Sequence, residues 1–353
     1  MQVYESKLYQ EDIKYIASLN IPWEKLNNKI VLISGASGLI GSCFIDTIME
    51  KNKLGLNCKI YALGRNREKA KKRFGYCWNN TLFEFITYDI NQELSDDNIG
   101  NIDYMLHLAS NTHPVAYAKD PIGTITTNII GTNNMLKFAA DKDITRFAFA
   151  SSNEIYGENR GDVEKFGEDY CGYINSNTMR AGYPESKRCG EALCQAYIQQ
   201  EKMDIVVPRL TRSYGPTMLM SDTKAISQFI RKAIENQDII LKSEGMQYYS
   251  YTYVADAVAG LFTVLLCGKS GEAYNIADDE SDIRLKDLAN IIADSVGKKV
   301  IFELPEELEK AGYSKATKAR LESSKLKELG WKAKYDIKQG IKRTLEILRE
   351  IQN

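Results

Sequence analysis

Tyr183 is the one tyrosine of this chain with a lysine four residues on, in Gly182-Tyr183-Pro184-Glu185-Ser186-Lys187. On a helix, that separation places Tyr183 and Lys187 on one face. An ammonium beside a phenol favours the phenolate, so the pair is expected to pull the tyrosine down from about 10 towards neutrality. Such a tyrosine takes the proton of an alcohol while the carbon beneath gives up hydride. Pro184 is compatible with a place in the first helical turn. The alternative is a solvent-facing pair with no task.

Hydride needs an acceptor. Far upstream, Lys29-Ile30-Val31-Leu32-Ile33-Ser34 runs into Gly35-Ala36-Ser37-Gly38-Leu39-Ile40-Gly41. An apolar strand, glycines at GxxGxxG spacing and a helix form a place to hold a dinucleotide pyrophosphate. The glycines close the turn and let backbone N–H groups approach the phosphates at the helix N-terminus. The alternative is a glycine-rich turn without a ligand. The next predicted strand ends in Ala62-Leu63-Gly64-Arg65-Asn66-Arg67. No acid stands there to bond the ribose 2′-OH of NAD, and Arg65 favours the 2′-phosphate of NADP. Arg65 stacking on adenine, or standing as a plain surface charge, is the competing reading.

Ser151-Ser152-Asn153-Glu154 follows the fifth predicted strand. From a strand's carboxyl end Ser152 would donate to the reacting oxygen beside Tyr183. Glu154 would act as a base on carbon next to a newly formed ketone, a task that plain alcohol oxidation lacks. Its alternative is a loop carboxylate that caps a backbone N–H.

These residues need elements to carry them. Apolar β-branched runs predict strands at Ile30–Ser34, Lys59–Leu63, Phe83–Tyr88, Tyr104–Leu108, Arg146–Ala150 and Ile205–Leu210. Helical patterns lie between, over Leu39–Glu50, Ile122–Ala140 and Pro184–Gln200. Alternation of this kind predicts an α/β fold, a doubly wound parallel sheet with ligands at the strands' carboxyl ends. After Gly215-Pro216 the pattern changes: helix at Ile226–Glu235, strands at Ile239–Leu241 and Ser250–Val254, then a helix at Asp256–Leu266. The expected division is a helical extension over 1–28, a dinucleotide-binding domain over 29–215 rejoined by 251–275, and a smaller substrate-binding lobe from 216–250 and 276–353.

A formal net charge of -1 gives no reason to expect a nucleic-acid or acidic-membrane partner. No apolar run reaches the length of a membrane helix, and Glu5, Glu11 and Asp12 are unlike a secretory leader. Seven cysteines, without a CxxC pair, predict reduced thiols in a cytoplasmic protein. With His107 and His113 as the sole histidines, a histidine metal site or a Ser-His-Asp triad is not expected.

Taken together, the motifs resemble those of the extended short-chain dehydrogenase/reductases, in the NAD-dependent epimerase/dehydratase family that modifies nucleotide sugars. They are Gly35 to Gly41, Asp89-Ile90, His107-Leu108-Ala109-Ser110, Asn128-Ile129-Ile130-Gly131-Thr132, Ser152 with Tyr156-Gly157, Tyr183 with Lys187, Tyr214-Gly215-Pro216 and Tyr253-Val254-Ala255-Asp256. The resemblance spans about residues 28–340 and implies a Rossmann-type fold. It implies Ser152, Glu154, Tyr183 and Lys187 as catalytic residues. It implies a nicotinamide cofactor at Gly35, Ser37, Gly38, Leu39, Ile40, Gly41, Arg65, Asp89, Ile90, Leu108, Ala109, Ser110, Asn128 and Lys187. Substrate would meet Ser110, Tyr117, Asn153, Arg212 and Tyr249, and two long helices would pair in a homodimer.

Asn128–Leu136 and Glu168–Asn175 are most similar to UDP-glucuronate decarboxylases. Those enzymes carry arginine where this chain has Tyr249, and asparagine where it has Arg212. The expected reaction is oxidation at sugar C4, followed by elimination, decarboxylation or epimerisation of the 4-ketone. The competing expectations are an NADPH-dependent reductase of a 4-keto nucleotide sugar and a non-catalytic nicotinamide sensor.

Overall fold

The computed structural model describes residues 2–94, 99–112, 114–303, 305, 313 and 317–352. Its centre is a parallel sheet. In chain order the strands are β1 (Ile30–Ser34), β2 (Lys59–Gly64), β3 (Phe83–Thr87), β4 (Tyr104–His107), β5 (Arg146–Phe149), β6 (Ser151–Ser152), β7 (Ile205–Leu210), β8 (Arg212–Tyr214), β9 (Ile239–Leu241), β10 (Tyr248–Tyr253), β11 (Ala273–Ile276), β12 (Asp282–Arg284), β13 (Val300–Phe302) and β14 (Lys318–Ala319). The main sheet runs β11-β7-β5-β4-β1-β2-β3, with β6 beside β7. The chain winds outward from β1 in both directions, so the order reverses between β1 and β4. A ligand crevice opens at such a switch point.

The helices are α1 (Lys7–Ala17), α2 (Leu39–Lys53), α3 (Arg67–Arg73), α4 (Pro114–Lys119), α5 (Pro121–Asp141), α6 (Gly182–Glu201), α7 (Ala225–Ile234), α8 (Val254–Cys267), α9 (Leu285–Asp294), α10 (Ser324–Glu328) and α11 (Ile337–Gln352). Alternation along β1 shows why both faces are covered. Val31 and Ile33 join one core with Phe44, Ile48 and Phe262, whereas Leu32 joins the other with Met135, Leu136 and Cys194. α5 and α6 pack together over that second face.

The expected elements stand within a few residues of their predicted bounds. The N-terminal extension, however, is a third layer rather than an appendage. Tyr9, Ile13 and Ile16 of α1 are fully buried, and α1 packs on α2 and α8. That cover explains why residues 41–50 of α2 are all buried. Beneath α1, Asp46 accepts from Tyr9 Oη at 2.6 Å and Tyr76 Oη at 2.7 Å, and pairs with Arg73. Ser6 Oγ donates to Glu350 Oε2 at 2.6 Å and Arg343 Nε to Asp12 Oδ1 at 2.9 Å, so the N-terminal segment is tied to α11.

The smaller lobe is built on β10, which is antiparallel to β12 and parallel to β8 and β14. β9 and β13 form a separate parallel pair. Its helices α7 and α9 pack on each other. Among the described residues, no helix is long and apolar enough to cross a membrane, and no cluster of three metal-ligating side chains occurs. His113 lies outside the described residues.

Candidate active site

A cleft of about 600 Å³ lies over the carboxyl ends of β1, β2, β4 and β5 and is closed on its far side by the smaller lobe. Its floor at β1 is the glycine turn. Gly35 has φ +71°, and a Cβ there would stand 2.8 Å from Ala109 N and Leu108 C. A Cβ on Gly41 would stand 2.6 Å from Gly35 O, so the turn and α2 approach as closely as backbones allow. Gly38 caps α2 with no side-chain bond, which leaves the helix's first N–H groups free for an anion. Ser37, Leu39, Ile40, Arg65, Asp89, Ile90, Leu108, Ala109 and Ser110 line the same cleft. This donor set, continuous with the tyrosine site, fits a dinucleotide.

Asn128, expected at the cofactor, stands one layer behind the wall. It is 1% exposed. Its Oδ1 accepts from Ser110 Oγ at 2.7 Å, and its Nδ2 donates to Ser186 Oγ at 2.9 Å. Both ends of the amide are used, so Asn128 sets Ser110 and α6 rather than touching a ligand. His107 lies behind as well. Burial pushes it down to about 3, which keeps it neutral between Ser34 Oγ at 2.7 Å and Thr132 Oγ1 at 3.1 Å.

At the other end of the cleft, Tyr183 enters from the first turn of α6, hydrogen-bonded to Ser152 and Ser110. Its ring stacks on Tyr117 with centroids 4.8 Å apart. The expected depression of its pKa is overturned. Burial, followed by the Glu154 charge, pushes the phenol up to about 12, against the pull of Ser152, Arg180 and Ser110. The i, i+4 spacing fails to lower it because the ammonium is used elsewhere. Lys187 Nζ donates to Ala150 O at 2.8 Å and lies 4.8 Å from the centre of the Phe149 ring. Burial lowers Lys187 itself to about 8.

Glu154 lines the cleft too. Its backbone N–H donates to Ser152 Oγ at 3.2 Å, so Ser152 starts the short turn that carries Glu154. Its carboxylate is not free: Arg180 Nη2 donates to both oxygens, at 2.7 and 2.6 Å. The Arg180 guanidinium also sits 4.7 Å from the centre of the Tyr117 ring. Sequence reasoning missed Arg180. Its trace in the sequence is an arginine one turn before Tyr183, just ahead of the helix. Asn153, Arg212 and Tyr249 all line the cleft, and Arg212 Cζ lies 3.4 Å from the centre of the Tyr249 ring. The ring where the resemblance leads one to expect arginine thus carries a guanidinium supplied by the neighbouring strand.

This geometry has relatives. Residues 31–277 match the NAD dependent epimerase/dehydratase family. UDP-glucuronic acid decarboxylase 3 of Arabidopsis thaliana is 30% identical over 89% of this chain and 87% of its own length. UDP-glucuronic acid decarboxylase 1 of Danio rerio is 30% identical over 93% and 74%. In fold, the chain is similar to dTDP-glucose 4,6-dehydratase of Streptomyces venezuelae, solved with NAD (TM-score 0.78, 23% identity, 91% of this chain and 97% of that one). It is equally similar to UDP-glucuronic acid 4-epimerase of Bacillus cereus, in complex with UDP-glucuronic acid and NAD (TM-score 0.78, 21% identity, 91% and 99%). With the glycine turn, the tyrosine–lysine helix and the family match in register along one cleft, the chain belongs to the NAD dependent epimerase/dehydratase family.

Proposed function

We propose that the protein oxidises C4 of a nucleotide-linked sugar and then eliminates, decarboxylates or epimerises at the 4-ketone. The observation that carries this reading is the hydrogen-bonded Ser152–Tyr183 pair at the end of a dinucleotide cleft, with Glu154 beside it. The cofactor, when bound at the glycine turn, supplies the hydride acceptor. Tyr183 Oη receives the proton of the sugar hydroxyl, and Ser152 Oγ holds that oxygen in place. Ser110, fixed by Asn128, supports the same phenol. Lys187 holds Ala150 at the end of β5, next to Ser151 and Ser152. Glu154 supplies the carboxylate for a second proton transfer, with Arg180 controlling its basicity.

The names of the relatives support nucleotide sugars as the substrate class. NAD is the cofactor of the family by name. Arg65, exposed at the adenosine end with no acid beside it, favours a 2′-phosphate and keeps the reductase reading as the second one. Stoichiometric consumption of NADPH would support that second reading, and unchanged total cofactor the first. Seven free cysteines, four of them buried, fit a reducing cytoplasm.

The direct test is mass spectrometry of the products from UDP-, dTDP-, GDP- and CDP-sugars, with wild type and Tyr183→Phe compared. Tyr183→Phe is expected to bind cofactor normally and to lose about two to four orders of magnitude in turnover, the scale of general acid–base catalysis. Turnover within about threefold of wild type would remove Tyr183 from the reaction.

A further inference from the structure

Charged side chains that face the cleft are, for the most part, already engaged. Glu154 has Arg180 on both oxygens. Lys224 pairs with Asp222 at 3.0 Å, and Lys187 is bound to Ala150 O. Arg212 is different. Among the described residues no carboxylate reaches it, and its buried Nη1 has no hydrogen-bond acceptor. It is also held firmly. β8 runs parallel to β10 with Arg212 opposite Tyr251, and the guanidinium lies over the face of Tyr249. A guanidinium fixed over an aromatic ring keeps its N–H edge for a planar, bidentate anion.

Its place in the cleft says which anion. Glu154 and Arg180 act on the Tyr249 phenol and on the Tyr183 phenol alike. Arg212 therefore stands one ring away from the reacting centre, at the sugar end of the cleft. Glu154 is already taken by Arg180, so nothing on the protein neutralises Arg212.

We infer that Arg212, stacked on Tyr249, binds a carboxylate carried on the sugar ring, so that the substrate is a nucleotide-linked uronic acid rather than a neutral hexose. This rests on the nucleotide-sugar reading above. A neutral hydroxymethyl group would accept a single hydrogen bond and leave the charge uncompensated.

The test is calorimetric titration of the whole protein with UDP, UDP-glucose and UDP-glucuronate, using wild type, Arg212→Gln and Arg212→Lys. Wild type is expected to hold UDP-glucuronate at least about tenfold tighter than UDP-glucose. Arg212→Gln should weaken UDP-glucuronate by about ten- to a hundredfold and leave UDP and UDP-glucose within about threefold, as for loss of one charge-assisted contact. Arg212→Lys, which keeps charge without the planar stack, should fall between them. Unchanged UDP binding also reports that each variant is folded, and if Arg212→Gln does not fold, Arg212→Lys carries the comparison. Equal wild-type affinity for the two sugars overturns the inference and leaves the nucleotide-sugar reading standing. So does an equal loss for UDP alone, which would make Arg212 a diphosphate contact. If wild type binds dTDP, CDP or GDP instead of UDP, the same sugar pair is compared on that nucleotide. If it binds none of the four, the nucleotide-sugar reading falls and takes this inference with it.

Discussion

Lys187 shows how far a spacing rule reaches. Its position beside Tyr183 is set by helix geometry, but its charge is governed by burial, which no spacing reveals. A lysine held at about 8 in the fold and near 10.5 in the unfolded chain binds fewer protons when folded between those two values. Stability must therefore rise with pH through that window, because the burden of a buried ammonium disappears as it deprotonates. Relative to Lys187→Met, wild type should gain about 3 kcal/mol between pH 8 and 10.5 at the usual conversion of pKa shift to free energy. Urea unfolding midpoints at both pH values measure it; parallel pH profiles for the two proteins would contradict it. Glu154 poses the companion question. If it acts on the ketone and not on the alcohol, Glu154→Gln should still show reduced-nicotinamide absorbance when substrate is added, yet release little product. Normal product release from that variant would assign the second proton transfer elsewhere and favour simple epimerisation or ketone reduction.

Among the elements, the glycine turn is the least tolerant of change. Gly35 combines a left-handed φ with backbone atoms of Leu108 and Ala109 within 2.8 Å of any Cβ. Gly35→Ala is expected to cost at least about 1–2 kcal/mol from the backbone conformation alone, and more from the clash, because neither neighbour is a movable side chain. It should also push the end of β1 away from β4 and abolish cofactor binding. Thermal unfolding and cofactor titration test both parts; retained affinity would mean that the turn tolerates a Cβ. This turn was legible in the sequence because glycine at fixed spacing reports a backbone constraint directly. The order of strands and helices was legible for a similar reason, since buried parallel strands are apolar on both faces. Asn128 and Arg180 were not legible. Asn128 occupies the expected motif but spends its amide on Ser110 and Ser186, and Arg180 belongs to no periodic pattern at all. Their roles come from partners distant in sequence, which local pattern does not encode.

At the scale of the whole molecule, the two faces of the sheet are finished differently. On one, α1 and α11 cover α2 and α8, so the terminal segments complete the core. On the other, α5 and α6 have nothing over them, and their outer surface is apolar. Ile122 is 75% exposed, Ile130 46% and Ile125 36%, with Met179 46% exposed just before α6. Ala192 and Ala196 of α6 are exposed as well. Small residues on one helix beside large apolar ones on the next favour close helix packing, and apolar side chains gathered on one face mark an interaction surface. We propose that a second copy of the chain covers this face through a two-fold axis, with α5 and α6 of each subunit forming a four-helix bundle. Each subunit's Tyr183 and Lys187 would then sit on a helix braced by the interface. Light scattering of wild type at micromolar concentration should give twice the 39.9 kDa chain mass. Ile130→Asp places a charge in the bundle and should shift the mass to one chain while the far-ultraviolet circular dichroism stays unchanged. Turnover per site should fall with dissociation, as α6 loses its support. A wild-type protein that stays monomeric under these conditions would leave the apolar face for some other partner.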